Sequence, residues 1–100
     1  MTNLHDVRQA FGVLETSSGI QTAAMRLERG EASGPLRNEH PQSVQVLVVF
    51  EGSVEAQIGD RRFVMQAGDS AVVPKGAPHR FVGASDEPAL TFNVYAPPAY

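Results

Sequence analysis

Hydrophobic residues recur along this chain mainly at every second position, in short runs separated by turn-forming residues. That period belongs to β-strands, whose side chains alternate between two faces. Runs of this kind appear at Thr22–Leu27, Gln45–Phe50, Val54–Ile58, Phe63–Met65, Ala71–Val73, Arg80–Val82 and Leu90–Tyr95. Between them lie Gly30 to Gly34, Glu51-Gly52, Gly59-Asp60, Ala67-Gly68-Asp69, Pro74 to Pro78 and Asp86 to Pro88. Each is rich in residues that supply turn geometry. Short strands at this spacing predict an all-β, antiparallel sandwich or barrel rather than a parallel α/β sheet.

Two runs differ in kind. Val54, Ala56 and Ile58 alternate with Glu55 and Gln57, which predicts one buried and one wet face. Val46–Phe50 is apolar throughout, so both its faces should be covered, one by the core and the other by a second sheet or a second subunit. In so short a chain that favours a homodimer. Near the start, Leu4, Val7, Phe11 and Leu14 have helical spacing behind Asn3 as a cap, interrupted by Gly12, and predict a short helix or an irregular arm. The chain thus divides into an arm and first strand (1–19), a barrel (20–96) and a C-terminal extension (97–100).

Composition narrows the function classes. One hundred residues suit one domain with one core. A net charge of −3 with no basic run speaks against nucleic acid as a partner, and Arg61-Arg62 beside Gly59-Asp60 reads as a hairpin tip. The absence of cysteine removes disulfides, thiolate catalysis and thiolate-bound zinc. No apolar run reaches membrane-spanning length, and M-T-N-L-H-D-V-R-Q-A lacks the apolar segment of a signal peptide. The expectation is a cytoplasmic protein.

The richest stretch is Gly68 to His79, G-D-S-A-V-V-P-K-G-A-P-H. A turn leads into a short apolar strand, and a loop stiffened by two prolines then delivers one histidine to the next strand. An imidazole held that firmly has something to point at, and a metal ion is a common answer. Partners should come from a strand distant in sequence. In Asn38-Glu39-His40-Pro41-Gln42-Ser43-Val44-Gln45, positions 38 and 40 would share a face if extended, and Gln45 opens the next strand. Pro41 follows His40 as Pro78 precedes His79, so each histidine abuts a proline. His5 reads as an ordinary surface residue and Glu39 as a solvated carboxylate pointing away from the cluster. Phe81 should share the face of His79, whereas the polar side of the last strand, Thr91, Asn93 and Tyr95, could face either the pocket or solvent.

These residues resemble the two motifs of the cupin family. The second, G-x5-P-x-G-x2-H-x3-N, is matched at Gly68, Pro74, Gly76 and His79, with Gly83 where the asparagine stands. The first, H-x-H-x3–4-E-x6-G, is matched in spacing at Asn38, His40, Gln45 and Gly52, with Asn38 for the first histidine and Gln45 for the glutamate. The resemblance covers roughly residues 20 to 96 and implies an antiparallel double-stranded β-helix, a jelly-roll barrel. It also implies a divalent transition metal (Zn, Mn, Fe, Ni or Co) on His40, Gln45 and His79, with Asn38 a fourth ligand or a neighbour of the ligands. Replacing the carboxylate by an amide leaves a bound dication at +2 instead of +1. That weakens affinity, and it favours an anionic or oxygen-rich small molecule. A metal-dependent oxygenase or isomerase is one reading. A metal-free, non-catalytic module that binds or senses a metabolite is the other. No general base other than the histidines stands out, because Glu28, Glu31, Glu39, Glu51 and Glu55 lie at turns or on wet faces.

Overall fold

The computed structural model describes Met1–Tyr100. Alternation yields eight strands: β1 Phe11–Thr16, β2 Gln21–Leu27, β3 Val44–Glu51, β4 Ser53–Ile58, β5 Arg61–Gln66, β6 Ser70–Val73, β7 His79–Gly83 and β8 Ala89–Ala96. They form a five-stranded sheet in the order β1-β2-β8-β3-β6 and a three-stranded sheet in the order β5-β4-β7. Every strand pair is antiparallel. The two sheets face each other as a jelly-roll barrel, the expected double-stranded β-helix. No helix is long and apolar enough to cross a membrane.

Register sorts the inward side chains of the large sheet into rows. Gln21, Tyr95, Gln45 and Val73 form one, Ala23, Asn93, Leu47 and Ala71 the next, and Met25, Thr91 and Val49 the third. Leu27, Leu47, Val49, Val54, Ala56, Met65 and Phe81 belong to one apolar core between the sheets. Removing their surface from water is the main source of stability, at roughly 25 cal/mol per Å² of apolar area.

The helical spacing at the start gives way to strand. Only Leu4–Asp6 forms a single 3-10 turn, with the Asn3 side chain accepting from the His5 N–H at 2.9 Å. Phe11 and Gly12 instead pair with Met25 and Ala24, and the Arg26 N–H donates to the Ala10 carbonyl. Gly12 has no Cβ, and one built there would meet Val7 at 3.1 Å, so the arm can lie close over β1. Cross-strand pairing outweighs a short apolar repeat of helical period.

On β3, Leu47 and Val49 point inward and are fully buried. Val46 and Val48 point outward and are half-buried, and Val44, Phe50 and Val72 are exposed. His5 from the N-terminal turn packs edge-on against Phe50 and meets Glu51, so the chain covers one margin of this outer face and leaves the rest open.

Gly83 replaces the motif asparagine for a steric reason. A Cβ there would lie 2.2 Å from the Glu28 carbonyl oxygen, because Arg29 bridges to Gly83. At Gly52 the backbone takes φ +73, and a Cβ would collide with the Ser85 hydroxyl at 2.6 Å, so the β3–β4 turn demands glycine.

Candidate functional site

His79 opens β7 directly after Pro78. Its N–H donates to the Arg37 carbonyl at 3.1 Å, and its Nδ1 lies 3.1 Å from the Ala77 carbonyl. A carbonyl only accepts, so Nδ1 carries the hydrogen and Nε2 keeps a lone pair for the interior. His40 sits in the loop before β3, in a turn closed by the Ser43 N–H donating to the His40 carbonyl at 3.0 Å. The two imidazoles meet inside the barrel with ring centroids 4.6 Å apart. Both are buried, at 4% and 6% exposure.

Gln45 joins them from β3, its Oε1 2.8 Å from His40 Nε2. The other nitrogen of His40, Nδ1, lies 3.3 Å from the Ser43 carbonyl. A neutral imidazole has one N–H, yet both ring nitrogens face oxygen. With the hydrogen on Nε2, His40 donates to Gln45 Oε1 in an ordinary hydrogen bond and its Nδ1 lone pair lies 3.3 Å from Ser43; with the hydrogen on Nδ1, the Nε2 lone pair and the Gln45 oxygen point at each other. Two converging lone pairs are the arrangement of neighbouring ligands on a cation. The chain continues as Gln45 Nε2 donates to Asn93 Oδ1 at 3.2 Å, and Asn93 Nδ2 to Thr91 Oγ1 at 3.1 Å. With both amides turned over, the same four side chains form a second consistent network in which the Thr91 hydroxyl donates first and Gln45 donates to His40 Nε2. The Gln45 oxygen toward His40 can accept from Nε2–H or stand beside its lone pair as a second donor to a cation; the turned-over direction leaves no oxygen there.

Asn38 is half-buried, and its Oδ1 is buried without a hydrogen-bond partner. Its side chain makes no hydrogen bond to His40, Gln45 or His79, and residues 38–43 form a loop rather than the extended segment that would align positions 38 and 40 by alternation. Glu39 is ion-paired to Arg37 Nε at 2.8 Å, with a side chain one-third exposed. It stands at the mouth, near enough for its charge to act on both His79 and Tyr100. No third histidine, cysteine or carboxylate completes a cluster with the two imidazoles.

Thr91, Asn93 and Tyr95 face inward, which settles the orientation of the last strand. Asn93 and Thr91 are the members of the buried polar cluster that the residue pattern could not assign. The T-x-N-x-Y alternation carried half the signal, and only the second sheet fixes which side is inside. Phe81 shares the face of His79, with ring centroids 6.1 Å apart. Tyr95 packs edge-on against His40 at 5.0 Å.

Burial dominates the electrostatics. Loss of solvent holds His79 below the ordinary histidine value, assisted by His40 and opposed by the Ala77 carbonyl and the Glu39 charge. Burial pushes the Tyr95 phenol far up, with the Tyr100 phenol adding to it, so Tyr95 stays neutral. Tyr100 is raised as well, chiefly by burial. The more open surface grooves lie elsewhere, one of them on the outer face of the small sheet between Arg62, Gln57 and Arg80, and they do not reach either histidine.

The types of donor present suit a divalent metal. They are two imidazole nitrogens and the Gln45 oxygen beside one of them, and the Asn38 amide oxygen is buried without a partner in the loop that carries His40. All are neutral.

A fold of this form, with a polar cluster enclosed between its two sheets, defines a jelly-roll barrel. The family model for the cupin domain matches residues 23–95, and the chain belongs to the cupin family. It is 35% identical over 82 residues to germin-like protein subfamily 3 member 4 of Arabidopsis thaliana, covering 77% of this chain and 38% of that one. The chain thus spans well under half the length of this relative. A solved protein of Bacillus halodurans superposes with a TM-score of 0.87 at 25% identity, over 97% of this chain and 76% of the other. A sugar phosphate isomerase of the cupin superfamily from Silicibacter pomeroyi superposes with a TM-score of 0.73 at 27% identity, over 89% of this chain and 60% of the other.

Proposed function

We propose that this cupin holds a divalent transition metal (Zn, Mn, Fe, Ni or Co) on His40, His79 and Gln45, with Asn38 a fourth donor or a neighbour of the ligands, and binds an anionic or oxygen-rich small molecule there. The observation that carries this reading is the convergence of two buried imidazoles, 4.6 Å apart between ring centroids, with the Gln45 oxygen 2.8 Å from His40 Nε2. When bound, the ion would supply Lewis acidity toward a carbonyl or carboxylate. The chain's own part is to fix the imidazoles through Ser43 and Ala77, orient the Gln45 amide through Asn93, and exclude water. A dication in a neutral cage keeps its full charge, which selects anions. The likeness to a sugar phosphate isomerase supports an oxygen-rich ligand. Isomerisation or oxygenation at such a centre would have to proceed without an interior carboxylate, since Glu28, Glu31, Glu39, Glu51 and Glu55 are all exposed.

A second reading has its own support. The turned-over relay from Thr91 to His40 gives each of the four side chains a hydrogen-bond partner without an ion, as a metal-free metabolite-binding module requires. Metal analysis and calorimetric titration with Mn, Zn and Ni separate the two. The metal reading expects stoichiometric binding that the His40→Ala, His79→Ala double variant loses. Failure of the wild type to take up any of these ions, or unchanged binding by the variant, contradicts it.

The open outer face of the large sheet supports a homodimer. Val94, Val46 and Val72 form one row across β8, β3 and β6, and Phe92 and Val48 begin the next. Pairing with the same face of a second copy would cover it. Light scattering at micromolar concentration should give a dimer mass, and Val72→Glu should give a monomer. A monomeric wild type refutes the assignment.

A further inference from the structure

The residues 97–100 form a strap across the polar end of the barrel, and Gln21 latches it. Gln21 is almost fully buried on the inward face of β2, in the same row as Tyr95 and Gln45. Its Oε1 accepts from the N–H groups of Ala99 at 3.0 Å and Tyr100 at 2.9 Å. Its Nε2 donates to the Tyr100 carbonyl at 2.8 Å and to Thr16 Oγ1 at 2.9 Å. All of the amide's bonding capacity is thereby used, three bonds of it on the strap. A second fastening comes from the Ser43 hydroxyl, which donates to the Pro97 carbonyl at 2.6 Å. The Tyr100 ring then lies against Phe11 at 4.7 Å and Tyr95 at 5.2 Å, and Tyr95 lies against His40.

His40, Gln45, His79, Thr91 and Asn93 are all buried, and the strap connects to them through Tyr95, which touches both Tyr100 and His40, and through Ser43, which is bonded to both Pro97 and His40. At this degree of burial the imidazoles are closed to anything the size of a metabolite. The strap has few apolar contacts to break, because Tyr100 remains more than half exposed and Pro97 is on the surface. Elements held by a handful of polar bonds at an edge are those that open locally while the core stays folded. Gln21 comes from β2 and shares no hydrogen bond with His40, Gln45 or Asn93, so it can release without disturbing them, whereas Ser43 also braces His40 through its backbone.

We propose that Pro97–Tyr100 is a gate over the interior site, latched by Gln21 and Ser43, whose release sets the rate at which ligands reach His40 and His79. This rests on the buried polar cluster being the binding site. It does not depend on an ion being held there. Diethyl pyrocarbonate, which acylates the free nitrogen of a neutral imidazole, reads access directly, and His5, half-exposed, serves as the internal control. Peptide mapping of the modified full chain should show His5 reacting quickly and His40 and His79 slowly in the wild type. Gln21→Ala and Tyr100→Ala should each raise the rates at His40 and His79 relative to His5 by about tenfold or more. Backbone exchange in Ala89–Ala96 should stay protected in both variants while exchange at Ala99 and Tyr100 rises in Gln21→Ala. Unchanged ratios in both variants would overturn the gate. So would a gain in reactivity matched by equal loss of protection across β8, since that is whole-domain unfolding. Because this readout involves no metal, its failure is separate from a failure of the wild type to bind one.

Discussion

Along β8 the inward side chains run Tyr95, Asn93, Thr91 and Ala89, along β3 Gln45, Leu47 and Val49, and along β2 Gln21, Ala23, Met25 and Leu27. One set of strands thus carries a polar end, which meets His40 and His79, and an apolar end, which meets Val54, Met65 and Phe81. At the apolar end any shape of side chain that fills the space serves. At the polar end each atom must find a partner, because a buried unsatisfied donor or acceptor costs roughly 1–3 kcal/mol. The contrast teaches where this barrel stores stability and where it stores chemistry.

The largest separation of the two ends should come from Leu27→Ala, because Leu27 pairs with Ala89 at the end of β8 far from Tyr95. It removes a fully buried side chain from the apolar end and should cost about 2–5 kcal/mol in denaturant unfolding. Metal affinity should stay where it is. If affinity collapses with stability, the two ends are not independent.

Asn93→Leu tests the polar end from beneath. Gln45 Nε2 would lose its acceptor, and nothing would then hold the Gln45 oxygen toward His40. Metal affinity should weaken by roughly 10–100-fold, as for other groups that orient a ligand. An unaltered Kd by competition titration would remove Asn93 from the site.

The smallest effect is one of pH. Burial holds His79 below 6.5 in the folded chain, so between its folded value and 6.5 the unfolded chain binds the extra proton. Stability from this group is therefore complete above about pH 6.5 and lost as pH falls below it, through the lowered folded value. Melts of metal-stripped protein should show that loss on acidification, and His79→Gln should flatten it. Stability that rises on acidification would reverse the sign.

The fold was legible because strand alternation and turn residues are local signals, and all seven apolar runs became strands. What local patterns could not resolve was decided by pairing across the molecule. Leu4, Val7, Phe11 and Leu14 kept a helical period, but β2 captured Phe11 and Gly12. The spacing of His40, Gln45 and His79 was readable, and the structure brings all three together. Asn38 was placed on their face by a strand alternation that the loop at 38–43 does not have. Gln21 looked like one polar residue opening an apolar run, and its part in holding Tyr100 appears only when the two ends of the chain meet.

The central claim is that the Gln45 amide oxygen, not its NH2, belongs to a metal centre with the two imidazoles. Anomalous scattering from crystals of protein reconstituted with Mn, Zn or Ni, collected across the metal's absorption edge, tests it most directly. The account predicts one strong peak within ligand distance of His40 Nε2, His79 Nε2 and Gln45 Oε1. An empty interior, with Gln45 donating to His40, would contradict it and leave the barrel a metal-free binding module.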